Sequence, residues 1–284
     1  MAVVTVPWWG KIGAKIILSR ISFGYAVWQR LGLFRHGQMD TSAYAISVFN
    51  SHMEKAGLKN SLQGKIILEL GPGDSIASAI IARAYGARAI LVDAGAFVRS
   101  DIAPYLDLAR ALVQAGLTPP DLTNCSTIND ILVRCDAQYM TGGLESLRQL
   151  PAATVDIIFS HAVLEHVRRN QFLDTMRECR RLLKPDGVCS HQVDLSDHLG
   201  GALNNLRFSE AVWESALFTK SGFYTNRIQF SAMLDYCRQA GFQVQVGEVR
   251  RWETLPTRRN KLAKEFRVLA EDELRVSGFG VILQ

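Results

Sequence analysis

The alternation of apolar and polar positions changes character near residue 65. Before it, "SAYAISVFNSHMEKAG" sets Tyr44, Val48 or Phe49, and His52 one turn apart, and Gly57 can stop the helix. Residues 1 to about 60 are therefore read as helical. From Lys65 onward, short apolar runs alternate with amphipathic stretches. "KIILEL", "RAILVD" and "VDIIFS" read as buried strands, separated by helices over 74–85 and 101–116. "DILVRC" reads as a weaker strand. "RNQFLDTMRECRRLLK" is an amphipathic helix stopped by Pro185 and Gly187, and "GVCSHQVD" is the next strand. "QFSAMLDYCRQAG" is a helix ending at Gly241, followed by the strands "FQVQVGEVR" and "FGVILQ".

Apolar strands alternating with helices predict an α/β fold, a mostly parallel sheet covered on both faces. The segment between the last two strands is too short and irregular for a crossover helix, so the final pair is expected to be antiparallel. The expected organisation is an N-terminal helical cap or lid over 1–60 and one domain over 61–284. An insertion over about 198–228 interrupts that domain.

Composition narrows the class. At 284 residues, 48% hydrophobic and 21% charged, the chain has a composition ordinary for a soluble globular protein. Its five cysteines form no CxxC pair, which suits a reducing compartment and argues against structural zinc. The N-terminal apolar stretches are broken by Lys11, Lys15 and Arg20, so neither a leader nor a spanning helix is expected. Trp8, Trp9, Phe23, Tyr25 and Trp28 either pack an added helix or rest in a membrane interface. The expected location is the cytoplasm, with the inner face of the membrane as the alternative. The net charge of +5 includes a basic cluster from Arg250 to Lys264. Aromatics do not interleave with the basic residues in any RNA-binding pattern, so nucleic acid is not an expected partner. A solvated face, a membrane surface or an anionic glycan are its remaining readings.

The most informative stretch is "LELGPGDS". Gly71, Pro72 and Gly73 end the first strand of the series, at the sheet edge where ligands lie in such folds. Asp93 closes the second strand, where an acceptor-only carboxylate can take both hydroxyls of a ribose. A dinucleotide site would want a third glycine and a helix N-terminus free of acid. Here Ile76 and Asp74 stand in the way. Glu69, just before the turn, suits a cationic ligand instead. A nucleoside bearing an amino group and a sulfonium fits these residues.

"LELGPGDS", then "LVD", "VDIIFSHAVLEHV" and "LLKPDGV", together resemble the class I S-adenosylmethionine-dependent methyltransferases over about residues 60–284. The chain is similar to uncharacterised bacterial members, some linked to polysaccharide or lipid-linked glycan synthesis. The resemblance implies a Rossmann-like seven-stranded sheet whose last strand is antiparallel, with S-adenosyl-L-methionine as cofactor. By it, Glu69, Gly71, Pro72 and Gly73 hold the methionine portion and Asp93 the ribose. The family's adenine-contacting acid is missing from "TGGLESLRQLP", where Glu145 is the substitute. Asp156 is left out of the site as structural.

Methyl transfer from a sulfonium is an in-line displacement, so the protein chiefly aligns the reactants. An alcohol acceptor also needs a base. His161 follows the fourth strand and should face the methyl group, whereas His166 reads as structural. His191 and His198 compete for the base, and Asp194 could orient whichever acts. The "DLSDH" run could ligate a metal, but Asp and Ser in loops more often cap helices, and no metal is expected. The long segment after it offers Asn204, Asn205, Arg207, Trp213, Tyr224, Asn226 and Arg227. These amide, guanidinium and aromatic groups suit a sugar or phosphate-bearing glycan; the alternative is a packed surface insertion.

The acceptor expected is a small molecule or glycan, most simply at a sugar hydroxyl. Two rivals stand beside this reading. One is a serine hydrolase using Ser75 at the strand-to-helix turn, although Gly73-Asp74-Ser75-Ile76-Ala77 departs from the usual elbow. The other is an inactive methyltransferase-like scaffold.

Overall fold

The computed structural model describes residues 8–10, 12–13, 41–58 and 62–284. Strands run over Ile66–Leu70 (β1), Arg88–Val92 (β2), Gln138–Met140 (β3), Val155–His161 (β4), Leu183–Asp194 (β5), Val244–Arg251 (β6) and Val276–Leu283 (β7). The longer helices are Ser42–Lys55 (α1), Ala77–Ala84 (α2), Ala103–Gln114 (α3), Ile128–Arg134 (α4), Leu144–Gln149 (α5), Phe172–Leu182 (α6) and Phe230–Gln239 (α7). One seven-stranded sheet has the order β3-β2-β1-β4-β5-β7-β6. β1 to β5 pair in parallel, and β7 runs antiparallel to both β5 and β6. This is the mostly parallel sheet with an antiparallel close that the pattern predicts, in the Rossmann-like seven-stranded form that the resemblance implies. The strand order reverses between β1 and β4, so the ligand crevice of such a sheet opens beyond their carboxyl ends.

Successive residues of a strand face opposite sides. Ile67, Leu91, Ile157 and Phe159 therefore pack with Phe49 of α1, Ile80 of α2 and Leu108 of α3. Leu68, Val92, Ile158 and Cys189 pack on the other side with Met176 of α6 and Met233 of α7. Burial on both faces explains why these strands read as unbroken apolar runs. A third cluster belongs to the insertion: Trp213, Phe218, Phe223 and Tyr224 close around Leu199, with Ile12 and Trp8 packed against them.

Two local expectations are corrected. "DILVRC" belongs to helix α4, not to a strand. Thr127 Oγ1 accepts from the Asp130 amide (3.2 Å) and the Asp130 carboxylate accepts from the Thr127 amide (2.8 Å), a reciprocal cap that starts a helix. The third strand is the short Gln138–Met140 beyond it. Pro185 and Gly187, read as the stop after α6, lie inside β5. The register jumps there, from Val155↔Leu183 to Ile157↔Val188, and a proline without an amide is tolerated at such a bulge.

Of the 1–60 cap, only α1 and its flanks and a few residues near Trp8 are described. Phe23, Tyr25 and Trp28 lie outside the described residues. Trp8 meets Phe208 edge-on at 6.2 Å, with the Arg207 guanidinium over its ring, whereas Trp9 is 65% exposed. No helix among the described residues is long and apolar enough to cross a membrane. Asp156 ties the strand ends below the crevice. It takes Lys65 at 3.1 Å, Lys184 at 2.7 Å and the Ile66 amide.

Candidate active site

The carboxyl ends of β1, β2 and β3 are joined by hydrogen bonds through Asp93. Its carboxylate accepts from the amides of Gly73 (2.9 Å) and Ala94 (2.7 Å), and its carbonyl accepts from Gly143 (2.7 Å). Gly71 and Gly73 both adopt positive φ, 66° and 67°, which glycine takes without strain. A side chain at Gly71 would also collide with Val163, its Cβ falling 2.5 Å from Val163 Cγ1. The loop after β4 thus lies directly against the glycine turn.

Glu69 is 4% exposed, and its Oε2 has no hydrogen-bond partner. Burial, reinforced by the nearby Asp93 charge, pushes its carboxyl up to about 8. Burial likewise raises Asp93 to about 6, although the Gly73 and Ala94 amides oppose the shift. Two carboxylates held above their ordinary range, one with an orphaned oxygen, are complementary to a cation. Asp93 also keeps acceptor positions beyond its two amide contacts, as a carboxylate offers about four. The residues present therefore fit a positively charged nucleoside. Glu145 does not turn toward this pocket. It is exposed and pairs with Arg148 at 2.6 Å, one turn along α5.

The second half of the crevice lies beyond β4 and β5. His161 ends β4, half-buried, and two residues of α1 flank it. Tyr44 Oη is 3.4 Å from His161 Nε2, and His52 Nε2 is 3.4 Å from His161 Nδ1. His52 Nδ1 in turn lies 2.8 Å from Ser190 Oγ on β5. Burial, then the charges of Lys55 and Arg250, keep the His161 imidazole below its ordinary pKa, so it is neutral near pH 7. His52 is lowered to about 3, chiefly by burial.

The other candidates are placed differently. His191 points to the opposite face of the sheet, 2% exposed, with Nδ1 2.8 Å from Ser160 Oγ. Burial lowers it to about 3, and its Nε2 has no partner. His198 is exposed and stacks on His166, their rings 4.9 Å apart. His166 Nδ1 donates to the Tyr224 carbonyl at 2.9 Å. Asp194 accepts from the amide and hydroxyl of Ser196, at 2.9 and 2.6 Å, so it caps a turn where a partner for a histidine was expected. Asp197 likewise accepts from the amides of Leu199 and Gly200.

In the insertion, the predicted substrate groups largely bond one another. Asn205 Nδ2 donates to Thr225 Oγ1 at 3.0 Å, and Asn204 Oδ1 accepts from Arg207 Nε at 2.9 Å. Arg227 is buried, donates to the Phe208 carbonyl at 2.6 Å, and lies over the rings of Trp213 and Phe266. Asn226 Nδ2 reaches the carbonyls of Leu164 and Val167. Tyr224 Oη donates to Glu214. Ser75, the rival nucleophile, is buried, and its Oγ accepts from the Ala77 amide at 3.2 Å.

Residues 68–190 match the family model of a methyltransferase domain. The match runs from β1 to β5 and takes in Glu69, the glycine turn, Asp93 and His161. Over that stretch the chain is similar to methyltransferase domains, and the cofactor this implies, S-adenosyl-L-methionine, is the one expected from the turn. No curated protein matches the chain. Among solved structures, a SAM-dependent methyltransferase from Archaeoglobus fulgidus is 9% identical, with 84% of this chain and 93% of that one covered and a TM-score of 0.44. The 1,6-didemethyltoxoflavin-N1-methyltransferase of Burkholderia thailandensis is 13% identical, covering 100% of this chain and 92% of that one at a TM-score of 0.45. An S-adenosylmethionine-dependent methyltransferase from Mesorhizobium loti is 16% identical, covering 78% and 91% at 0.42. Similarity at this level says nothing about the acceptor.

Sequence reasoning did not assign a role to Tyr44, His52 or Ser190. A signal was present: Tyr44, Val48 and His52 recur every four residues, which puts a phenol and an imidazole on one helix face. What a pattern does not say is which strand end that face meets.

Proposed function

We propose that the protein transfers a methyl group from S-adenosyl-L-methionine to a hydroxyl of a small-molecule or glycan acceptor, most simply a sugar. The contact between Val163 and Gly71 carries this reading. It sets the loop that bears His161 beside the turn that suits the donor. The bound cofactor supplies an activated methyl group on a sulfonium. Glu69 faces the cationic end, the Gly71–Gly73 turn allows close backbone approach, and Asp93 accepts from the ribose hydroxyls. Glu145 is paired with Arg148, and no adenine contact is assigned to it. His161 Nε2 would take the proton of the acceptor hydroxyl as that oxygen receives the methyl group, and would later pass it to water. A neutral imidazole at the crevice is suited to that step.

In this reading Asn204, Asn205 and Arg227 hold the insertion's shape, while Arg207 and Tyr224 border the acceptor. His191, Asp194 and His198 support the loops around it. The expected setting is cytoplasmic, and the basic residues between Arg250 and Lys264 could hold the protein against an anionic membrane if the acceptor is a glycolipid.

Methyl-labelled cofactor incubated with the protein and fractionated bacterial extract tests the proposal. Label is expected in the polar glycan or glycolipid fraction. Label confined to protein or nucleic acid overturns the acceptor, and no transfer to any fraction overturns the activity.

A further inference from the structure

The His52 imidazole makes contacts that packing alone does not require. It is 2% exposed on α1, yet both ring nitrogens meet polar groups of the sheet, Ser190 Oγ at 2.8 Å and His161 Nδ1 at 3.4 Å. Only two proton arrangements satisfy both contacts. In the first, Ser190 donates to His52 Nδ1, His52 Nε2–H donates to His161 Nδ1, and the His161 proton is left on Nε2. That form of His161 cannot accept another proton there. In the second, His161 Nδ1–H donates to His52 Nε2 and His52 Nδ1–H donates to Ser190, so His161 Nε2 keeps its lone pair. Tyr44, 3.4 Å from that nitrogen, is then its donor in the resting protein.

We propose that His52 is a positioning residue that holds His161 in the second arrangement, Nε2 bare and turned to the acceptor. Helix α1, outside the 68–190 family match, thereby completes the acceptor half of the site. The geometry stands without the methyltransferase reading; its use in catalysis rests on that reading. An imidazole oriented through its second nitrogen is a better base because its tautomer is fixed before the substrate arrives. The groups facing His161 agree with a neutral resting ring: Lys55 from α1 and Arg250 from β6 both disfavour its charged form. When Nε2 takes a proton, the Nδ1–H bond to His52 becomes charge-assisted and stronger.

Long-range nitrogen–proton NMR of the cofactor-free chain at neutral pH reads the tautomer directly. Wild-type protein is expected to show His161 protonated on Nδ1. His52→Leu and Ser190→Ala should each lose that preference. His52→Gln, whose amide oxygen can accept from Nδ1–H, should keep it. In turnover, His52→Leu should lower kcat by about ten- to a hundredfold, a part of what a general base supplies, and leave KM for the donor unchanged. His52→Gln should restore most of that loss. A wild-type His161 protonated on Nε2, or a tautomer indifferent to both His52→Leu and Ser190→Ala, overturns the inference. Should His52→Leu fail to fold, the wild-type spectrum and Ser190→Ala decide by themselves. A protein that transfers no methyl group yet shows the expected tautomers loses the proposed activity and keeps this positioning role.

Discussion

The two halves of the crevice are built in opposite ways. The proposed donor half comes from one stretch of chain, Glu69 to Asp93, in which consecutive elements bring a glycine turn and two carboxylates together. The proposed acceptor half draws Tyr44 and His52 from α1, His161 from β4 and Ser190 from β5, partners separated by 109 to 138 residues. A contiguous motif can be shared across a family and read from one sequence. A site assembled from distant elements can vary with every added helix, which is where acceptor choice can change while the donor stays the same.

The strongest test of that division is His161→Ala. It is expected to lower kcat by about a hundredfold or more with cofactor affinity unchanged by calorimetry. A large loss of affinity would mean that the halves are not separate. Asp93→Ala should do the reverse, weakening cofactor binding by at least about tenfold, the equivalent of one charged hydrogen bond. An unchanged dissociation constant would remove the ribose assignment.

A smaller effect should appear with pH. In the free protein Asp93 and Glu69 titrate near 6 and 8. A cationic ligand prefers both groups ionised and lowers both pKa values on binding. Affinity should therefore rise by severalfold as pH increases through about 6 and then about 8, and level off above. Binding should release protons between those values, seen as a dependence of the binding heat on buffer ionisation enthalpy. Proton uptake would contradict the charge complementarity on which the donor half rests.

Legibility followed the same division. The apolar runs at 65–70, 88–93 and 155–160 located β1, β2 and β4, because strands buried on both faces admit few polar residues. "DILVRC" misled because a seven-residue helix with β-branched residues carries the composition of a strand. Its cap, Thr127 with Asp130, was the deciding signal. In the insertion, Asn205 and Arg227 have the chemistry of sugar ligands, but burial commits them to Thr225, Phe208 and two aromatic rings. Residue type alone does not distinguish a group that offers hydrogen bonds outward from one that spends them inside.

By itself the sequence determined the alternating fold, the antiparallel close of the sheet and a glycine turn flanked by two acids. All three follow from periodicity and from residues adjacent along the chain, where local backbone geometry governs. Only the tertiary structure decided which histidine stands at the crevice and which are enclosed or stacked elsewhere. Six histidines are chemically equivalent as letters; among the five described, burial, the element each sits on and the neighbour it meets make them different.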